Sequence, residues 1–161
     1  MIAPPPPFQT FLDEHRQAVL AFLVATVGPV DADDCFQETF LAALRAYPRL
    51  RHSENLRGWV LTIAHRKAID AARARSRRAV PTESLPEEEV ADPQLDRAAN
   101  GVPAVLRAAA GLPPRQRAAV AHRFVADLRY REIGALLGCS EAAARRSVHD
   151  GLAKLRQEME K

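Results

Sequence analysis

The sequence predicts an all-α protein: two small helical domains joined by an acidic flexible linker, the C-terminal one a helix-turn-helix. Three observations lead there. Apolar residues recur at three- and four-residue spacing along most of the chain, and strand signals are nearly absent from a composition that is 47% hydrophobic but only 6% aromatic. Between the two periodic segments, Pro81, Pro86, Pro93 and Pro103 punctuate an acidic stretch with little periodicity. Charge, finally, comes in blocks that the net +3 conceals. Residues 45–78 carry ten Lys/Arg against only Glu54 and Asp70, residues 79–102 carry six acids against Arg97, and residues 103–161 carry eleven bases against six acids. Basic, acidic and basic blocks in that order suggest two nucleic-acid-facing modules on an acidic tether.

Element by element, residues 1–7 form a disordered lead in which Pro4–Pro7 favours an extended chain. A first helix is expected from about Phe8 to Thr26, with Phe8, Phe11, Leu12, Val19, Phe22 and Leu23 on its apolar stripe. Gly28-Pro29 breaks it. A second helix opens at Asp31 or Asp33, carries Phe36, Phe40, Leu41 and Leu44 on one face, and closes at Pro48. After a short basic loop, a third runs from about Asn55 to Arg78 with Leu56, Trp59, Val60, Ile63 and Ile69 inward. Residues 8–78 thus make one domain and 79–103 the linker. In the second domain, 104–161, a short helix leads to Gly111-Leu112-Pro113-Pro114, where proline suits the first turn of the next helix, carrying Ala118, Val120, Ala121, Phe124 and Val125.

The last third is the most informative. Tyr130 to Leu137 reads as a short helix, Gly138-Cys139-Ser140 as a turn, and Glu141 onward as a second helix. Gly138 can take the left-handed conformation without a Cβ penalty. Ser140 can accept from a free N–H of the first turn. Ile133, Leu136 and Leu137 face inward on one helix, and Ala144, Val148, Leu152 and Leu155 on the other. Arg145 and Arg146 then sit near the N-terminal end of a helix whose opposite side is buried, where such helices meet the major groove.

Enzyme chemistry finds no support. Cys35 and Cys139 lie in different helical units, which favours packing over a disulfide or metal site. The histidines at 15, 52, 65, 122 and 149 show no metal spacing, and there is no nucleophile elbow or glycine-rich phosphate loop. No catalytic residue, metal or cofactor is assigned. No apolar run approaches the roughly 18 residues of a membrane span, and a signal peptide's basic start and apolar core are missing. A cytoplasmic protein without membrane insertion is expected.

The order of motifs carries further than any one of them. Asp31-Ala32-Asp33-Asp34-Cys35-Phe36-Gln37-Glu38-Thr39-Phe40-Leu41-Ala42-Ala43-Leu44 closely resembles the core-binding helix of bacterial sigma factors of the extracytoplasmic-function (ECF) group. Asn55 to Ala64, continuing through Ala68-Ile69-Asp70, resembles the helix that follows in their second conserved region. Leu112-Pro113-Pro114-Arg115-Gln116-Arg117 and the helix-turn-helix resemble their fourth. The resemblance implies a non-catalytic subunit that docks on RNA polymerase core, recognises promoter DNA in two parts and helps to melt it. An anti-sigma factor is a further partner the family implies.

Carried onto this chain, the resemblance places core binding on Asp34, Gln37, Glu38 and Leu41. It places capture of the melted minus-10 strand on Arg51, His52, Ser53 and Arg66, and minus-35 duplex recognition on Ser140, Glu141, Arg145 and Arg146. Arg73, Arg75, Arg77 and Arg78 suit backbone contacts to duplex upstream of the melted segment. The linker acids Glu83, Glu87, Glu88, Glu89 and Asp92 would mimic nucleic-acid charge within the polymerase. Arg66 stands where many relatives carry a base-reading asparagine, and Ser147 and Asp150 where many carry bases, so promoter choice or strength is expected to differ. The competing readings are a helix-turn-helix regulator that acts without core docking and a sigma-like interaction protein with weak promoter reading.

Overall fold

The computed structural model describes residues 3–51, 53–78 and 103–161, and every regular element among them is helical. Three helices form the first unit: α1 (Phe8–Val27), α2 (Pro29–Ala46) and α3 (Leu56–Arg78), with a 3-10 turn at Tyr47–Arg49. Four form the second: α4 (Ala104–Ala109), α5 (Pro114–Phe124), α6 (Tyr130–Leu137) and α7 (Glu141–Met159). The linker expected over 79–103 lies, up to residue 102, outside the described residues.

In the first unit each helix packs on the other two. Phe11 is fully buried at the centre, its ring 5.1 Å from Tyr47, 5.7 Å from Trp59 and 6.2 Å from Phe40 between centroids, within the range of favourable aromatic packing. Trp59 therefore belongs to the core, as its phase beside Val60 predicts. The start of α2 differs from expectation. Gly28 takes a positive φ of 85° and Pro29 is already the first helical residue, so Asp31 lies within the first turn, where a carboxylate favours the helix dipole. The inner face also differs. It consists of Ala32, Cys35, Thr39, Phe40 and Ala43, mostly small residues that allow close helix approach, while Leu44, expected on one face with Phe40, is 49% exposed. The buried Thr39 hydroxyl is satisfied by the Cys35 carbonyl at 2.6 Å. At the head of α3, Asn55 adopts φ 50° and its side-chain oxygen accepts the Gly58 N–H at 3.1 Å.

The lead expected to be disordered is tied down from Ala3 onward. The Tyr47 hydroxyl donates to the Pro6 carbonyl, and the Ser53 hydroxyl donates to the Ala3 carbonyl at 3.1 Å. An extended proline segment has no internal hydrogen bonds, so its carbonyls are open to such partners.

In the second unit α5 and α6 both pack on α7, burying Ile133, Ala144, Val148 and Leu155. Phe124, one of the apolar residues noted on this helix, is 56% exposed at the last residue of α5, where it lines an apolar groove with Val105, Leu106, Val120 and Leu152. The buried residues of α5 are instead consecutive, Ala119 to His122, because the helix is covered from more than one side. One cover is α7; another is α1, which packs on α4 and α5. The same contact accounts for the unbroken burial of α1 from Ala21 to Thr26. A helix apolar all round is stable only when covered all round, and Val19–Val27 carries no charged residue.

Candidate nucleic-acid interface

The helix-turn-helix is built from local hydrogen bonds. Glu132 accepts the Arg129 N–H at 2.7 Å, closing the start of α6. Gly138, at φ 68°, ends it, and the Cys139 N–H returns to the Gly134 carbonyl at 2.9 Å. The turn folds so tightly onto α6 that a Cβ on Gly134 would lie 2.7 Å from the Cys139 carbonyl oxygen. Ser140 then accepts the Ala143 N–H at 3.1 Å and starts α7. These contacts fix the angle at which α7 is presented.

With Ala144, Val148, Gly151 and Leu155 buried, the opposite side of α7 is exposed. Glu141, Ala142, Arg145, Arg146 and His149 line one shallow concavity there, and Ser140 stands exposed at its tip. The predicted quartet Ser140, Glu141, Arg145 and Arg146 is therefore brought together, and His149 joins it. The signal for His149 was present in its spacing, four residues after Arg145 and three after Arg146.

Arg145 is held from two sides. Its guanidinium lies 5.0 Å from the centroid of the Tyr130 ring and 3.5 Å from the Glu141 carboxylate. Arg123 lies 5.3 Å from the centroid of the same ring and pairs with Asp127 at 3.3 Å. Arg146 has no ion pair or ring contact among the described residues. Tyr130 and Arg123 belong to other helices, so spacing along α7 carries no trace of them. Asp150, exposed, sits at the flank of this face, about 100° round the helix from His149. Ser147 is half-buried.

On the first unit, Val30, Asp34, Gln37, Glu38, Leu41 and Leu44 follow three- and four-residue steps along the exposed side of α2. Leu41 is 52% exposed, so carboxylates and bare apolar side chains share one stripe. Cys35 lies behind it, its thiol pushed up to about 11 by burial and then by the carboxylates of Glu38, Asp31 and Asp34.

The arginines of α3 separate into two directions. Arg66, Arg73 and Arg77 share a face by steps of seven and four, whereas Arg75 reaches across to Asp31 of α2 at 3.2 Å. The expected group of four is thus not a single surface. Arg51 is exposed in the loop before α3, Ser53 is half-buried with its hydroxyl on Ala3, and His52 lies outside the described residues. Ser53 keeps acceptor capacity, since a hydroxyl has one donor and two acceptor positions. Among the described residues, no group of three or more His, Cys, Asp or Glu is placed to hold a metal, and no helix is long and apolar enough to cross a membrane.

An acidic-apolar stripe on one unit and a basic helix-turn-helix on the other coincide with two family matches. Residues 11–78 match Sigma-70 region 2, and residues 103–155 match Sigma-70, region 4. Both sigma regions lie in one chain, in order. The chain belongs to the ECF group of RNA polymerase sigma factors. RNA polymerase sigma factor CarQ of Myxococcus xanthus is 32% identical over 160 residues, covering 93% of this chain and 87% of that one. ECF RNA polymerase sigma factor SigD of Mycobacterium tuberculosis is 34% identical over 158 residues, covering 92% and 74%. Among solved structures, sigma factor RpoE in complex with anti-sigma factor NepR from Bartonella quintana aligns with a TM-score of 0.69 at 21% identity, covering 95% of this chain and 96% of that one. CnrH in complex with the cytosolic domain of CnrY gives 0.58 at 22%, covering 95% and 87%. At such identities the likeness is one of fold. As a sigma factor, the protein binds RNA polymerase core and promoter DNA and directs transcription initiation.

Proposed function

We propose that this sigma factor divides promoter recognition between its two units, residues 8–78 and 104–161, and adds no bond chemistry of its own. α7 enters the major groove of minus-35 duplex with Arg145, Arg146 and His149, its N-terminus at Ser140 directed to the backbone. Arg51, His52, Ser53 and Arg66 receive the melted minus-10 strand. Unpairing costs a few kcal/mol per displaced base, which such a pocket offsets by stacking and hydrogen bonding. Arg73, Arg77 and Arg78 contact the duplex upstream, and Arg75 joins them after leaving Asp31, a cheap exchange for an exposed pair. The α2 stripe of Asp34, Gln37, Glu38 and Leu41, lengthened by Leu44, docks on a basic and apolar surface of core. The protein works in the cytoplasm, where polymerase and promoter are, and an anti-sigma factor that covers these surfaces is a fitting regulator.

The observation that carries this reading is the shared face of Arg145, Arg146 and His149, opposite the buried side of a helix fixed by its own turn. Arg145 and Arg146 have separable roles in it. Arg145, restrained by Tyr130 and Glu141, supplies a fixed donor suited to a base edge, whereas the unrestrained Arg146 suits the phosphate backbone. Binding of holoenzyme to minus-35 duplexes tests the division. Arg145→Ala should lose about 1–3 kcal/mol and relax sequence preference at one position, and Arg146→Ala should weaken all sequences alike and lower the salt dependence. Unchanged affinity in the double variant, with core association intact, would remove α7 from promoter recognition.

A further inference from the structure

The seam between the two units contains a group that promoter reading does not use. His122 of α5 is fully buried, with its ring 4.9 Å from Phe22 of α1 and 4.6 Å from His65 of α3 between centroids. His65 is itself only 7% exposed. Neither ring nitrogen of His122 has a hydrogen-bond partner among the described residues. An imidazole has a donor and an acceptor even when neutral, so this is a costly residue to place where a leucine would pack.

The groups around it offer no compensation for a proton. α1 presents Phe22 from a stretch, Val19–Val27, without any titratable side chain. α3 presents His65 with Arg66 beside it, α4 carries Arg107, and α5 itself carries Arg115, Arg117 and the Asp127-paired Arg123. α6 carries Arg131 and Glu132, which is engaged at the Arg129 N–H, and the buried residues of α7 are Ala144, Val148, Gly151 and Leu155, none of them titratable. Burial and His65 hold His122 down to about 3, and burial and Arg66 lower His65.

The packed arrangement is also too short for the promoter. A chain of this length folded as one body has a radius of gyration of about 15 Å. Elements centred near minus-35 and minus-10 lie roughly 80 Å apart along B-form duplex, at about 3.4 Å per base pair. The units must separate to reach both.

We propose that His122, packed at a tilt against Phe22 and edge-to-face with His65, is a proton-sensitive latch that holds the two units in a closed form unable to bridge the promoter. The consequence for bridging rests on the two-part reading above; the latch does not. The sign follows from linkage. His122 binds a proton less readily closed than open, so the closed form is fully favoured above the ordinary histidine pKa of about 6.5 and loses ground as pH falls below it. Between pH 7.5 and 5.0 the closed-to-open ratio should drop about thirtyfold.

Small-angle scattering from the full chain, with helicity followed by circular dichroism, reads this directly. The wild type should be compact at pH 7.5 and expanded at pH 5.0 with its helicity kept, and His122→Phe should be compact at both. A wild type of one size throughout, an expansion that comes with loss of helicity, or an equal expansion in His122→Phe would each overturn the latch. Should His122→Phe not fold, His65→Phe serves, with a reduced pH response expected and an unchanged one contradicting. Failure of these results with promoter-specific transcription intact removes the latch alone; the converse removes two-part reading and leaves the latch.

Discussion

Several side chains in this sigma factor act through a neighbour on another helix. Tyr130 is the clearest case, its ring shared by Arg145 and Arg123. A cation over an exposed aromatic face is worth about 0.5–1 kcal/mol, enough to bias Arg145 toward one rotamer. Tyr130→Leu should therefore weaken minus-35 binding by up to about 1 kcal/mol, and Tyr130→Phe should restore it, as followed by fluorescence anisotropy with labelled duplex. Equal loss in both variants would assign the effect to the hydroxyl. The two cysteines should also part company. Cys35 is buried with its thiol near 11, whereas Cys139 is half-buried in the turn, so alkylation at pH 8 should modify Cys139 first and reach Cys35 only on unfolding. Residue chemistry of this kind was legible in the sequence only where it was local. Gly138 and Ser140 announced the turn because their roles depend on adjacent backbone; Tyr130 and His122 did not, because their partners lie on other helices.

Helices were legible as helices, less so in their inward faces. α2 shows why. Phe36, Phe40, Leu41 and Leu44 fit a stripe at helical spacing, yet Leu41 and Leu44 face out, and Ala32, Cys35, Thr39 and Ala43 face in. Where three helices approach closely, small residues fill the seam and large ones remain for a partner, as the place of Leu41 in the docking stripe requires. Exposed leucines between Gln37 and Arg45 are what a docking helix needs, so reversing charge there should be decisive. Gln37→Lys combined with Glu38→Lys should abolish core association while leaving helicity and thermal stability near wild type, since both side chains are exposed. Retained association in a pull-down with core would move the docking surface elsewhere. The extended lead is a second element that acts on the site. Removing residues 1–7 frees Tyr47 and Ser53, and the loop that carries Arg51 loses an anchor. Promoter melting by holoenzyme should fall while minus-35 duplex binding stays unchanged; a loss of both would point to a general folding role.

At the scale of the whole molecule, two units and their order were readable from charge blocks and proline punctuation, but the contact between them was not. Periodicity reports that a face is buried without saying by what. The run Val19–Val27 did hold a hint, being uncharged and apolar save for Thr26 where a surface helix would keep one polar side. Its second cover is the helix-turn-helix unit, which makes the closed arrangement part of the amino-acid sequence's own logic. Neither unit suffices by itself: one chain joins core docking to promoter reading. Run-off transcription reads that union, with purified bacterial core polymerase and the promoter of this protein's own gene as template. A specific transcript is expected only when the chain is added, lost with Gln37→Lys/Glu38→Lys and reduced with Arg145→Ala. A transcript that persists without the chain, or one that the α2 double variant supports as well as wild type, would contradict that union.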